Sequence, residues 1–205
     1  MSIIPLLATS LNRRDEEPNI QLAIKIVSEN NAMAIIELVE NLGQKNKNIR
    51  HDCIKTLYEA AYRKPEMVAD YWNNFLPLLD HKDNRMQWGA MTALAAIVEQ
   101  NTDAALKSLP VLAKAADAGS VITKDGYVAI LVILIKAGKQ EVFEMLNEQL
   151  LKSATNQLPK YAEMACAVID DKDKAKLRET LLKRRPDMTV ESKLKRLDKV
   201  IKKIS

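Results

Sequence analysis

Three segments, 52–61, 89–98 and 126–135, lie 37 residues apart and share their apolar positions when aligned in that register. One column holds Ile54, Met91 and Val128, a second Leu57, Leu94 and Leu131, a third Ala61, Val98 and Ile135. Columns spaced i, i+3 and i+7 fall on one face of an α-helix. A period of roughly 20–50 residues marks units too small to bury their own apolar face, so each must stack on its neighbours. A fourth copy, 163–171, keeps Ala165 and Val168 and then turns acidic at Asp170 and Asp171, where the array is expected to run down.

A second amphipathic segment precedes each copy: 34–42, 74–79, 108–113 and 142–151. Pro77 and Pro110 are 33 residues apart, so loops within the repeats differ in length. Residues 18–29 predict a leading helix, with Asp15, Glu16 and Glu17 at its positive end. Residues 127–135 would form a strand on β-propensity alone. Their register with the alanine-rich 91–98 instead predicts a helix, apolar all round because both flanks are covered.

Composition agrees with an all-α chain. Its 205 residues suit roughly one domain, and 47% hydrophobic with 28% charged residues excludes a disordered or low-complexity chain. Five glycines and 4% aromatic residues are sparse for sheet architectures. Cys53 and Cys166 are too few and too far apart for a disulfide framework or a cysteine-rich metal site, which suggests a reducing compartment. Residues 1–7 are apolar but lack a basic start and contain Pro5, unlike a signal peptide. The longest apolar run, nine residues from Tyr127 to Ile135, falls short of the ~20 residues of a membrane span. A soluble, cytoplasmic protein is expected.

Residues Leu78, Leu79, Asp80, His81, Lys82, Asp83, Asn84 and Arg85, leading into Gly89, Ala90, Met91, Thr92, Ala93 and Leu94, resemble a HEAT repeat. That family pairs an apolar first helix with a small, apolar second helix across a short turn bearing Asp and a basic residue. The resemblance covers roughly 15–170, strongest in the second unit and weakest in the fourth. It implies a right-handed α-α superhelix, or solenoid, of four to five HEAT-like helix pairs over residues 1–170. Residues 171–205 would then form a basic helical cap on the array end. HEAT-like proteins are mostly scaffolds and adaptors, so the resemblance implies binding of a protein partner through a concave face lined by the second helices. Lys55, Glu59, Arg63, Gln87, Trp88, Thr92 and Glu99 are the expected contacts.

Asn46, Asp83 and Ser120 recur at 37-residue steps just before the second helices, where short polar side chains accept backbone N–H bonds. Basic residues gather beside those turns: Lys45, Lys47, Arg50, Lys82, Arg85 and Lys124. They form either a rim for nucleic acid or an acidic protein or ordinary solvated loop charge, diluted by Asp80, Asp83 and Asp125. Trp88 shares a column with His51 and Asp125, which places it on an accessible edge, whereas Trp72 reads as inter-repeat packing.

No motif for catalysis emerges. His51 and His81 have no ligand-spaced partner and read as solvent-facing residues near turns; both cysteines read as inert core thiols. HEAT-like DNA glycosylases are similar in size and charge, but they need a concave-face aspartate among aromatics. Thr92 stands one turn after Trp88, and Asp125, the one carboxylate in that column, has no Trp on its helix. A non-enzyme without metal or cofactor is expected.

Residues 171–205 hold 13 Lys+Arg against 6 Asp+Glu, so the remainder carries 18 against 21 and the net +4 belongs to the end of the chain. There Val190, Leu194, Leu197, Val200 (or Ile201) and Ile204 make an apolar stripe, with Lys193, Lys195, Arg196, Lys199, Lys202 and Lys203 around it. This is either a helix capping the array or one that meets nucleic acid, an anionic membrane or a protein. Nucleic-acid binding, if any, is expected to be weak, non-specific and confined to this tail.

Overall fold

The computed structural model describes residues 2–205, which contain eleven α-helices joined by short 3-10 turns and loops, with no strand. The helices are α1 (Glu17–Ser28), α2 (Ala32–Glu40), α3 (Lys47–Arg63), α4 (Trp72–Phe75), α5 (Asn84–Ile97), α6 (Thr102–Ala118), α7 (Val121–Lys136), α8 (Phe143–Lys152), α9 (Leu158–Cys166), α10 (Asp171–Arg184) and α11 (Glu191–Lys203). They form two compact units, the first ending at Tyr127 and the second running from Val128 to Ser205, with the boundary inside α7.

In the first unit α3 lies between α1 and α5 and also packs on α2. The expected columns are its core: Ile54, Leu57, Ala61, Met91, Leu94 and Val98 are all fully buried. The axes of α3 and α5 approach closely at Gly89, where a Cβ would stand 2.8 Å from Ile54 Cγ1. One repeat on, a Cβ on Gly126 would stand 2.7 Å from Met91 Cγ. The first copy has Asp52 at this register. Its carboxylate accepts from Thr9 N (2.7 Å) and Asn19 Nδ2 (2.8 Å), and Asn19 Oδ1 accepts from Ala8 N (2.9 Å). A buried polar pair thus fastens the N-terminal loop to α1 and α3 where later copies use close packing.

The caps fall as the sequence period demands. Asn46 accepts from Asn48 N (3.0 Å), Asp83 from Arg85 N (3.0 Å), and Ser120 from Thr123 N at a longer 3.4 Å. The segment 74–79 departs from the expected single helix. α4 has only four residues and gives way to a 3-10 stretch, Leu76–Asp80, because Pro77 has no N–H to continue the α ladder. Trp72 there is buried and donates to Ser108 Oγ on α6 (3.2 Å). α7 is helical through Lys136, so repeat register overrides strand propensity in 127–135.

In the second unit α8 packs on α10 and α9 on α11, with α8–α9 and α10–α11 also in contact. α9 stops at Cys166, so 163–171 is not one helix; Asp171 and Asp173 instead open α10 at its positive end. α11 buries Leu197, Val200 and Ile201, and Ile204 follows them inward. Val190, expected in that stripe, is 47% exposed, because it precedes the helix. Charged links tie the pairs: Lys176 to Glu144 (2.5 Å) and Arg196 to Glu163 (2.6 Å). Arg184 donates to the carbonyls of Leu150 (2.8 Å), Leu151 (2.6 Å) and Ser153 (2.9 Å), satisfying acceptors that the end of α8 leaves open.

Candidate functional site

Residues spaced three and four apart on α3 present a charged and aromatic face beside α5. Tyr58 is central. Its ring lies 6.0 Å from Trp88 at 52° and 6.1 Å from Tyr62 at 72°, spacings at which aromatic pairs attract. Cations cover the same rings: Lys55 Nζ sits 4.8 Å from the Tyr58 centroid and the Arg85 guanidinium 6.0 Å from that of Trp88.

Carboxylates from two directions hold these cations. Lys55 Nζ is 3.0 Å from Glu16 Oε2 and 2.8 Å from Glu59 Oε1, while Glu16 Oε1 accepts from Arg85. Glu59 also pairs with Arg63 at 2.5 Å. Burial works to lower the Lys55 pKa, but hydrogen bonds with Glu59, Tyr58 and Glu16 outweigh it and hold the ammonium above the usual lysine range. Burial likewise works to raise the Glu59 pKa, and the bonds from Lys55 and Arg63 carry it below the usual glutamate value.

Above this face His51 Nε2 lies 2.6 Å from Asp83 Oδ2, and His81 Nδ1 accepts from the Asp83 amide (2.9 Å). The histidines are therefore not solvent-facing turn residues; both engage the cap of α5. Burial works to raise the Asp83 pKa, but the His51 bond and the Arg85 amide lower it overall. A cleft of about 210 Å³ opens beside Glu16, His51 and Arg85. Cys53 lies on the buried face of α3, and burial, reinforced by Asp52 and Glu37, pushes its thiol up to about 12, so it stays protonated and inert. Among the described residues no group of His, Cys, Asp and Glu is arranged to hold a metal ion, and no helix is long and apolar enough to cross a membrane.

The expected contact residues divide. Lys55, Glu59, Arg63, Trp88 and Thr92 come together at this face. Lys55 is not an exposed contact, however: its side chain is 9% exposed beneath the two glutamates. Thr92 donates its hydroxyl to Trp88 O (2.7 Å), so that group is spent on its own helix. Gln87 points elsewhere, donating to Leu79 O (2.8 Å) and lining a separate cleft with Pro77 and Val111. Glu99 is exposed in the turn Val98–Gln100, beyond the end of α5.

The expected basic rim is also divided. Lys45, Lys47 and Lys82 are exposed and Lys124 half-buried. Arg50 instead donates to the carbonyls of Gln44 (2.7 Å) and Lys45 (3.1 Å), and Arg85 is held by Glu16. In the second unit Lys193 bonds Asn156, Lys195 pairs with Glu191 and Arg196 with Glu163; Lys199, Lys202 and Lys203 are exposed. Tyr58, Tyr62, His51 and Glu16 belong to the site without having been singled out for it. The i, i+3 and i+7 spacing of Lys55, Tyr58 and Tyr62 carried the signal for the tyrosines; nothing local pointed to Glu16.

No protein-family model matches the chain, and no curated protein matches it. Among solved structures it is similar to the crystal structure of an engineered protein from the Northeast Structural Genomics Consortium. The two are 19% identical with a TM-score of 0.63, over 100% of this chain and 97% of that one. At that identity the likeness concerns the helical fold alone.

Proposed function

We propose that this is a HEAT-like repeat protein, its helix pairs continuing as a right-handed solenoid, and that it acts as a non-catalytic protein-binding adaptor through the α3–α5 face. The 37-residue recurrence of apolar columns and caps supports the repeat assignment. The observation that carries the function is the aromatic–cation cluster: Tyr62, 60% exposed, and half-buried Trp88 both flank Tyr58, Arg85 lies over the Trp88 ring, and Arg63 follows Tyr62 in sequence. Tyr, Trp and Arg grouped around a partly desolvated centre are the residue types that dominate binding energy at protein interfaces.

Affinity capture from native lysate with the full chain tests this, using wild type and the double variant Tyr62→Ala/Arg63→Ala, each with and without nuclease. The adaptor reading expects captured protein that survives nuclease and is lost in the double variant. Capture abolished by nuclease favours the second reading, in which the basic second unit binds nucleic acid. Exposed Lys199, Lys202 and Lys203 on α11 support that reading, and each phosphate contact would add about −0.9 to the log–log salt slope on duplex DNA.

A further inference from the structure

The α3–α5 face contains a carboxylate seat, and a residue of the chain itself occupies it. Glu16, in the turn entering α1, reaches both Lys55 and Arg85, with the rings of Tyr58 and Trp88 alongside. The cation is built in and the anion lies on top: the Lys55 side chain is 9% exposed, that of Glu16 41%. Arg85 uses only part of its donor fork. One terminal nitrogen meets Glu16, while its Nε is buried without a hydrogen-bond partner among the described residues. A carboxylate engaging guanidinium at full strength takes two parallel N–H bonds, which Glu16 does not do here.

The adjoining cleft of about 210 Å³ gives an incoming chain room beside this seat. Its acidic lining is already committed. Asp15 pairs with Arg13 (2.7 Å), and Asp52 accepts from Thr9 N and Asn19 Nδ2. That leaves the exposed Arg14 and the half-used Arg85 as its cationic groups. Charge complementarity therefore favours an anionic occupant.

We infer that Lys55, Arg85 and Trp88 form the recognition seat for an acidic residue of a partner polypeptide, and that Glu16 fills this seat until the partner displaces it. The inference rests on the adaptor reading above and gives it a partner chemistry: a segment with one Glu or Asp in the seat and acidic neighbours toward Arg14. Because Glu16 is tethered, it competes at an effective concentration on the order of millimolar, so removing its charge unmasks the site.

The test uses the full chain and a capped, glutamate-rich decapeptide, with its all-glutamine counterpart as control. Trp88 emission is the readout, against the constant background of buried Trp72. The expected result is binding at least about tenfold tighter to Glu16→Gln than to wild type. The gain should vanish when Arg85→Gln is added, and the glutamine peptide should not bind. No gain in Glu16→Gln, a gain surviving Arg85→Gln, or equal binding of the glutamine peptide overturns the inference. A second measurement needs no variant: saturating acidic peptide on the wild-type chain should speed hydrogen exchange across residues 13–18 as Glu16 leaves, and unchanged exchange overturns it. If lysate capture still depends on Tyr62 and Arg63 while the peptide shows none of these effects, the seat is a structural tie and the adaptor reading stands without it.

Discussion

The two units are built from similar helix pairs but join them differently. The first holds seven of the nine aromatic side chains and 14 basic against 16 acidic residues; the second holds Phe143 and Tyr161 and 17 basic against 11 acidic. The first is packed by close approach, with Gly89 against Ile54 in a core of fully buried apolar side chains that includes Leu57 and Leu94. The second has a fully buried core of its own, with Leu131, Leu146, Leu177 and Leu197, and adds Lys176–Glu144, Arg196–Glu163 and the Arg184 fork across its helix pairs. Buried apolar area stabilises strongly, whereas an exposed ion pair contributes about 0–1 kcal/mol. The first unit, Met1–Tyr127, is longer than the second, Val128–Ser205, and a larger unit buries more of its surface; it is expected to be the more stable of the two, and the second to open first.

The largest test of that contrast is Leu94→Ala. Leu94 is fully buried on α5, and truncation should cost about 2–5 kcal/mol. A loss below about 1 kcal/mol in chemical denaturation would mean that the first unit is not held by its core. Native-state hydrogen exchange should likewise find α3 and α5 more protected than α11; the reverse order would invert the comparison.

Asp83→Ala removes the α5 cap and the His51 partner together, and should cost about 1–2 kcal/mol by thermal denaturation. Asp83→Asn separates the two, since Asn caps a helix as well as Asp. The Asp83 carboxyl is lowered below its usual 3.8 in the fold. Its charge therefore stabilises fully above that value, and the contribution is lost as pH falls through the lower, folded-state pKa. Between pH 7 and pH 3, Asp83→Asn should lose less stability than wild type. An identical acid limb would mean that the His51–Asp83 pair carries no energy.

The smallest effect is expected in the second unit. Arg196→Ala breaks a pair whose partners are both more than 40% exposed, and should cost at most about 1 kcal/mol and less in high salt. A larger, salt-insensitive loss would make ionic links there as important as packing is in the first unit.

Much of this fold was legible because its determinants are local or periodic. The columns, the caps Asn46, Asp83 and Ser120, and the helical state of 127–135 follow from a 37-residue offset combined with helix periodicity. The site was half legible. Gln87 adjoins Trp88 in sequence, but adjacent helix residues are turned about 100° from each other, which carries it to the cleft by Leu79. Lys55 looked exposed because its second carboxylate, Glu16, comes from a turn before α1 that no repeat spacing relates to α3. Pro77 was visible in the sequence, yet Pro110 lies inside α6 without ending it, so a proline alone did not announce that α4 would be a single turn.

Site-specific photo-crosslinking from both units of the intact chain decides which of them meets a partner. A benzophenone side chain is placed at Tyr62 on α3 and, in a second preparation, at Leu182 on α10, which is 40% exposed. Both are irradiated in native lysate with and without nuclease. The expected result is a discrete protein adduct at Tyr62 that survives nuclease and is lost when Arg63 is changed to Ala, with no matching adduct at Leu182. Adducts confined to Leu182 and abolished by nuclease would contradict it and move recognition to the basic second unit.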